Sequence, residues 1–319
     1  MIRYIIRRLL WGVVLLIVVA ALMFILFRVL PTGNPALLRA GRDPQPKLVK
    51  EIEVVLGLSK PLTVQFWDYM KEIFFHFNFG YSYYSQESVK SLIAERLPAT
   101  LSLTFGAAVL WVVGGLSVGI VSALRRHSLL DRTLMGGALL AISVPEFWLG
   151  LVFLFLFSSD IGKFKIFPGA GSYVPLTTDP WKWFTSLIMP WIVLAAGSAA
   201  FFARLMRSSL SETMEEDYIR TARAKGLPER QVVRQGVRSA INPMITLFGL
   251  EVGVLLGGAI LVEAVFNIPG IGELFYKSIQ TSDFPVTQGT VLLGSMFIIL
   301  ANIVVDVAYA YLDPRVRYS

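Results

Sequence analysis

The chain has 319 residues, of which 55% are hydrophobic and only 16% are charged, a balance that excludes an ordinary soluble domain. Its net charge of +7 comes from Lys and Arg residues that mostly flank apolar runs, so the charge indicates membrane topology and argues against a nucleic-acid partner. With no cysteine and two histidines, His76 and His127, in different predicted loops, the sequence offers no disulfide, thiolate zinc site or iron–sulfur cluster.

The first predicted element is a membrane span near the N-terminus. Nineteen uncharged residues separate Arg8 from Arg28, and at a rise of about 1.5 Å per residue they match a hydrocarbon core of roughly 30 Å. The run exceeds the apolar region of a signal peptide, and no A-x-A-like cleavage site follows it. We therefore assign residues 1–30 to a cytoplasmic N-terminus and an uncleaved first span.

Residues 31–96 are predicted to form an extracytoplasmic loop region. From Leu62 the sequence LTVQFWDYMKEIFFHF places apolar residues near helical spacing, which predicts an amphipathic helix. Two roles remain open for this helix. It either lies on the membrane surface or the bundle, or acts as a lid that contacts substrate.

Residues 97–312 are predicted to form a transmembrane core with five further spans, which gives an all-α, polytopic helical bundle of six spans. The basic loop RRHSLLDR and the basic tail at 313–319 contrast with the poorly charged segment 267–283, so we expect both termini in the cytoplasm. The five apolar runs are 97–124, 134–158, 183–203, 241–262 and 284–311.

Two acids within these runs are candidates for the translocation pathway. Glu146 follows Pro145, which can kink its span, and Glu251 lies nearly opposite a helix face on which glycines recur every four residues from Gly249. A carboxylate inside a membrane costs several kcal/mol unless it is paired or hydrated. Each acid therefore either lines a solvated path or is a paired structural carboxylate, and the sequence leaves both alternatives open.

A third predicted feature is the cytoplasmic loop at 205–240. Residues 214–225 are predicted to form a short helix with acids in its first turn and bases in its last. Gly226 suits the left-handed stop position, and Pro228 can open a second helix. Arg204 and Arg207, before this loop helix, are expected to snorkel at the cytoplasmic face.

The string DYIRTARAKGL, from Asp217 to Leu227, resembles the EAA loop of the peptide branch of binding-protein-dependent ABC import permeases. In the general pattern E-A-A-x-x-x-G, the residues Arg220, Thr221 and Ala222 stand where E-A-A would, and Gly226 keeps the glycine. The likeness extends over nearly the whole chain and is nearest to the B-type subunit of dipeptide and oligopeptide permeases. Further segments that carry it are LGLSKPLTVQFWDYM, FNFGYSY, ERLPATLSLT, SVPEFWLG, VEAVFNIPGIG and LDPRVRY.

This resemblance implies a type I ABC importer subunit in a bacterial inner membrane, with peptides as cargo. It implies a heterodimer with a second, homologous permease subunit, two ATP-binding subunits that hold ATP and Mg, and an extracytoplasmic solute-binding protein. This chain itself is then no enzyme and binds no cofactor or metal. The sequence agrees, because it contains no G-x-x-x-x-G-K-[S/T] loop for nucleotide phosphates.

Two sets of site residues follow from the resemblance. The loop FNIPGIG is expected either to approach the docked solute-binding protein or to serve as a plain turn, with Pro269 and Gly270 in a type II geometry and positive φ at the glycine. The residues of this set are Asn267, Pro269, Gly270 and Gly272. The residues expected to couple the spans to the ATPase are Glu216, Asp217, Tyr218, Thr221, Ala222, Arg223, Lys225 and Gly226.

Other functions remain to be weighed. The same machinery in similar permeases carries nickel, glutathione or oligosaccharides. In an ion-coupled secondary transporter, Glu146 and Glu251 would titrate as proton-coupling sites, but the inverted repeats typical of that class are not evident. An intramembrane enzyme would need a nucleophile with a base, or a metal-ligand cluster, and the sequence shows neither.

Overall fold

The computed structural model describes residues 2–30, 35–40, 45–55 and 57–312, and the predicted tail at 313–319 lies outside them. Within these residues the chain is almost entirely helical and forms no β-strand, so the predicted all-α fold is confirmed. The thirteen α-helices described are α1 (Ile2–Phe24), α2 (Pro35–Ala40), α3 (Pro46–Val55), α4 (Leu62–His76), α5 (Val89–Leu124), α6 (Leu129–Ser143), α7 (Glu146–Phe157), α8 (Pro180–Thr213), α9 (Asp217–Ala224), α10 (Glu229–Ala240), α11 (Asn242–Phe266), α12 (Ile271–Gln280) and α13 (Phe284–Leu312).

Four described helical segments are long and apolar enough to cross a membrane unaided: Ile5–Val29, α5, α8 and Phe284–Val304 of α13. Two further pairs of helices reach this length and hydropathy only together and are sharply bent between their members, namely α6 with α7, and Ala259–Phe266 with α12. Counting each interrupted pair as one span gives up to six. The helices α5 and α8 run well past the apolar segments from which they were predicted, with 36 and 34 residues.

The third predicted span is broken instead of kinked. Helix α6 ends at Ser143, α7 begins at Glu146, and the two helices differ in direction by 108°. Val144 and Pro145 both have extended backbone conformations. Proline has no N–H to donate and its ring disfavours a helical residue before it, so two adjacent residues leave the helix and a sharp bend results.

The chain divides into two compact units. The first joins Met1–Pro98 to Gly270–Ile303, and its core is formed by the start of α5, α12 and the start of α13 around Val89, Ile93 and Leu274. An ion pair between Arg96 and Glu273 adds a polar contact between α5 and α12. The second unit consists chiefly of Ala99–Pro269.

In the second unit, α5 and α8 approach each other closely through small residues. A Cβ atom added at Gly115 would lie 2.8 Å from the carbonyl oxygen of Ala199, and one at Gly119 would lie 2.7 Å from that of Ala203. The glycines are four residues apart, the G-x-x-x-G spacing that lets helix backbones meet in membranes. Beside this contact the buried ring of Trp111 stacks on Phe248, with 5.1 Å between ring centroids.

Candidate functional site

The predicted cytoplasmic loop forms a hairpin of two short helices, α9 and α10. Helix α9 ends in a Schellman motif, in which the N–H of Gly226 donates to the carbonyl of Arg223 at 2.9 Å and that of Leu227 donates to Ala222 at 3.3 Å. Gly226 has a φ of +75°, as predicted for the stop position. Pro228 caps α10 with an extended conformation and lies just before its first residue, Glu229.

The hairpin has its own apolar core. Ile219 and Ala222 of α9 are buried against Val232 of α10, and Leu227 packs on this cluster from the turn. On the outside, the guanidinium of Arg223 donates to Glu229 at 2.8 and 3.3 Å, and these hydrogen bonds lower the pKa of Glu229. The apolar core and this ion pair, in which two guanidinium nitrogens of Arg223 donate to the two carboxylate oxygens of Glu229, together fix the angle between the two helices.

The eight predicted coupling residues lie on or beside α9. Seven are exposed, and only Ala222 is buried, where it belongs to the core of the hairpin. The predicted start of the helix at Met214 is wrong, since α8 continues to Thr213 and a turn follows it. Glu216 takes an extended conformation, so the helix begins at Asp217. The residues on the exposed surface are Glu216, Asp217, Tyr218, Thr221, Arg223, Lys225 and Gly226.

Within the hairpin, α10 is the helix that packs against the long helix α8. The hydroxyl of Ser209 donates to the carbonyl oxygen of Ala240 at 3.0 Å. Gly236 faces Met214 so closely that an added Cβ would lie 2.8 Å from the methionine sulfur. Helix α10 also leads directly into α11, so the hairpin is joined to two long helices of the second unit.

The two candidate pathway acids lie near each other. Glu146 is the first residue of α7, directly after the break in the third span, and its carboxylate is close enough to that of Glu251 on α11 to interact electrostatically. The hydroxyl of Ser198 on α8 donates to Glu251 at 2.8 Å. Neither acid forms an ion pair with a basic side chain among the described residues, and both are partly exposed.

Three helices therefore bring oxygen-bearing side chains to one partly exposed place in the second unit. Among the residues that the structure describes, no group of three His, Cys, Asp or Glu side chains could hold a metal ion. On the glycine face predicted nearly opposite Glu251, Gly249 is buried and Gly253 is partly exposed.

A buried ion pair that the sequence analysis missed lies where α6 meets α8. Arg207 donates to the two carboxylate oxygens of Asp131 at 2.7 and 2.8 Å, and the backbone N–H of His127 and the hydroxyl of Ser122 also donate to this carboxylate. The expectation that Arg207 snorkels is thus wrong. The pair joins residues that are 76 positions apart, and only the acid at the third position after Ser128, a typical helix cap, gave a local signal.

The predicted turn at Pro269 and Gly270 is also wrong. Helix α11 continues to Phe266, and Asn267 takes the left-handed conformation with a φ of +48°, whereas Gly270 has a φ of −106°. Asparagine adopts this conformation more readily than most residues, so it ends the helix here. Among the four residues of this set, Asn267 and Pro269 are exposed, whereas Gly270 and Gly272 are buried.

Comparison with known proteins shows which family this chain is similar to. Residues 1–104 match the N-terminal model of binding-protein-dependent transport system membrane components, and residues 115–318 match that of their inner membrane component. A protein of Brucella abortus (strain 2308), provisionally named as a peptide transport system permease, is 40% identical over 99% of both chains. A glutathione transport system permease protein of Salmonella choleraesuis (strain SC-B67) is 41% identical over 100% of both chains.

The two models together match nearly all of this chain, and the two relatives align with 99% and 100% of it. Their descriptions imply an ATPase and a binding protein as partners. The chain therefore belongs to the family of binding-protein-dependent transport system inner membrane components, as a multi-pass, non-catalytic permease subunit of an ABC importer.

Proposed function

We propose that this permease subunit imports peptides, and that the exposed face of α9 couples its spans to ATP hydrolysis. The observation that carries the coupling role is a rigid hairpin that keeps Tyr218 45% exposed while its other face is packed and joined to α8. A large aromatic ring on a water-exposed helix is a typical anchor for a partner surface. Peptide cargo is supported by the names of the Brucella relatives and by the string from Asp217 to Leu227.

The assembly that we propose contains a second, homologous permease subunit and two ATP-binding subunits. ATP and Mg bind the ATP-binding subunits, and this chain holds no cofactor. A solute-binding protein delivers cargo on the extracytoplasmic side and docks near Asn267 and Pro269, the two exposed residues of that loop. Both termini and the hairpin face the cytoplasm, and residues 31–96 face outside, because the basic loops fall on one side.

The pathway role rests on Glu146 and Glu251. Two acids that lie together without a basic partner among the described residues need water or a polar cargo around them to remain charged. A peptide offers an ammonium group and backbone N–H groups, both of which can donate to carboxylates. We infer that this acid pair lines the cavity through which cargo passes as the spans change between outward and inward access.

The coupling role is tested by crosslinking, which the absence of native cysteine makes free of background. We expect Tyr218→Cys and Thr221→Cys, placed in the assembled transporter, to crosslink to an ATP-binding subunit. Glu87→Cys, an exposed position in the predicted outer region, is the matched control and should not crosslink. An impermeant thiol reagent should label Glu87→Cys in intact cells and Tyr218→Cys only after the membrane is opened.

If neither α9 cysteine crosslinks while the complex stays assembled, the coupling role is wrong. If the impermeant reagent labels Tyr218→Cys as well as Glu87→Cys in intact cells, the predicted orientation is wrong instead.

Cargo is tested by uptake into proteoliposomes that contain the whole transporter. We expect ATP-dependent uptake of a labelled dipeptide or oligopeptide that excess peptide suppresses and glutathione does not. The name of the Salmonella relative makes glutathione the second candidate, and uptake of glutathione alone would replace the peptide proposal. Uptake that persists without ATP and collapses with the proton gradient would instead indicate an ion-coupled transporter.

A further inference from the structure

A cavity of about 460 Å³ lies in the first unit, apart from the coupling hairpin and the acid pair, which belong to the second. Its walls come from the end of the first span, from α4 and from the beginning of α13. This is the region in which the amphipathic α4 was expected to serve either as a surface helix or as a lid. Two side chains in the wall have unsatisfied polar atoms, which makes the cavity a candidate binding site.

The first of these side chains is Arg28. It lies in a single π-helical turn, Ile25–Val29, which the N–H of Leu30 closes by donating to the carbonyl of Ile25 at 3.0 Å. Such turns are rare and occur frequently at functional sites. Within the described part of the chain, the buried Nη1 atom of Arg28 has no hydrogen-bond partner. A buried donor without an acceptor is costly, so this guanidinium requires an acceptor from elsewhere.

The second side chain is Tyr69 of α4. Its buried hydroxyl has no hydrogen-bond partner among the described residues, and its ring lies near enough to Arg28 for an electrostatic interaction. Burial raises the pKa of Tyr69, so the phenol keeps its proton and acts as a donor. Phe24 holds the ring in place, with 5.6 Å between ring centroids. Two residues that line one cavity thus each carry a buried polar atom without a partner among the described residues.

The acids in the same wall are already engaged. Asp68 forms an ion pair with Lys60 at 2.7 Å, and Glu72 accepts a hydrogen bond from Asn78 at 2.9 Å. Neither acid pairs with Arg28 in the described part of the chain. The group that satisfies Arg28 and Tyr69 therefore needs to bring its own acceptor oxygens and a negative charge.

A phosphate group has this chemistry, because its oxygens match the planar fork of a guanidinium. The surroundings indicate where it comes from. Leu22 and Leu26 of the first span are exposed, and α4 exposes the rings of Trp67 and Phe75 by 71% and 78%. Aromatic residues of this kind concentrate where the headgroups of a bilayer meet its apolar core.

We propose that this cavity binds a phosphate group through Arg28 and Tyr69, with a phospholipid headgroup as its source. Free phosphate offers the same oxygens, and the experiment distinguishes the two. The complete transporter is purified in detergent and titrated with phosphatidylglycerol or with inorganic phosphate, and bound molecules are counted by native mass spectrometry. The variants are Arg28→Gln and Tyr69→Phe, with Lys50→Gln on α3, an exposed cation of the same unit, as the matched control.

We expect Arg28→Gln to weaken phosphatidylglycerol binding at the tightest site about tenfold and Tyr69→Phe about threefold, while Lys50→Gln binds like the parent protein. Tyr69→Phe removes one oxygen and keeps the ring, so its effect does not depend on a loss of folding. Displacement of the lipid by millimolar phosphate would assign the site to free phosphate. Parent-like binding of both lipid and phosphate by Arg28→Gln and Tyr69→Phe would overturn the proposal.

Discussion

Two carboxylate sites in the second unit are built in opposite ways. Asp131 is buried, and its carboxylate accepts hydrogen bonds from Arg207, Ser122 and the backbone of His127. A buried charge with this many donors is compensated, and removing a partner is costly. This site holds α6 against α8 through the ion pair of Asp131 and Arg207.

The second site contains Glu146 and Glu251, whose carboxyl groups lie near enough to each other to interact electrostatically. Only Ser198 donates to this pair through a side chain in the described part of the chain. Such an arrangement is unfavourable in a dry interior and persists where water or a polar solute reaches it. The comparison separates a fully paired carboxylate between two packed helices from an incompletely paired one at a broken helix, and the pathway role that we propose depends on the second arrangement.

The largest expected effect is on the ion pair of Asp131 and Arg207. Asp131→Ala leaves Arg207 partly buried without its acceptor, so we expect the free energy of unfolding to fall by about 3 kcal/mol. The measurement is thermal unfolding of the purified transporter, followed by tryptophan fluorescence. Asp217→Ala, which removes an exposed acid with a long 3.5 Å contact to Arg220, is the control and should leave the melting temperature unchanged.

The double variant Asp131→Ala with Arg207→Met sharpens this test, because it removes both charges. It should recover part of the lost stability. A double variant no more stable than Asp131→Ala alone would mean that the pair acts through shape and not through charge.

The next effect is on the incompletely paired site, and here activity and stability should separate. Glu251→Gln keeps the side-chain shape and relieves the repulsion with Glu146, so we expect unchanged or slightly higher thermal stability. Uptake should nevertheless fall by roughly tenfold, because the carboxylate no longer attracts the cargo's ammonium group. Uptake into proteoliposomes and the melting temperature are measured on the same preparation.

Ser198→Ala is the matched control for Glu251→Gln, since it removes the hydrogen bond and keeps the charge. It should reduce uptake far less. Loss of stability in Glu251→Gln with normal uptake would assign this acid to packing and erase the contrast between the two sites.

A modest effect on stability, yet a large one on coupling, is expected at Gly226. No atom lies within 4 Å of an added Cβ there, so Gly226→Val is disfavoured by its φ of +75° alone, at a cost of about 1 kcal/mol or more. The hairpin would then turn at a wrong angle and uncouple ATP hydrolysis from cargo. Gly226→Asn, which tolerates this conformation, is the control and should retain cargo-stimulated hydrolysis.

Equal loss of cargo-stimulated ATP hydrolysis in Gly226→Val and Gly226→Asn would show that the glycine matters for access and not for its backbone angle. Normal hydrolysis in both variants would count against the coupling role of α9.

Local rules account for the features that the sequence predicted well. The stop at Gly226 and the interruption at Pro145 depend on the backbone preferences of one or two residues, so no tertiary contact is needed to foresee them. The same rules failed at Asn267, since asparagine and the glycine three residues later both suit a left-handed stop.

Contacts between distant residues could not be predicted. Asp131 and Arg207 are 76 positions apart, and nothing local distinguishes Arg207 from an arginine that snorkels at the membrane surface. The nearness of Glu146 and Glu251 likewise depends on how α7 packs on α11. The G-x-x-x-G spacing of Gly115 and Gly119 is a local signal for close helix packing. Because this spacing does not identify the partner helix, the contact of α5 with α8 could not be predicted from it.

The break before α7 also alters the electric field around the acid pair. In a continuous span Glu146 would lie in the middle of a helix. The interruption at Pro145 instead creates a new helix N-terminus at Glu146. The first hydrogen bond of α7 is donated by Leu149, so the three preceding N–H groups have no acceptor within the helix. A helix N-terminus favours negative charge, so the bend places the Glu146 carboxyl group at a position that supports such a charge better than the middle of a continuous span would.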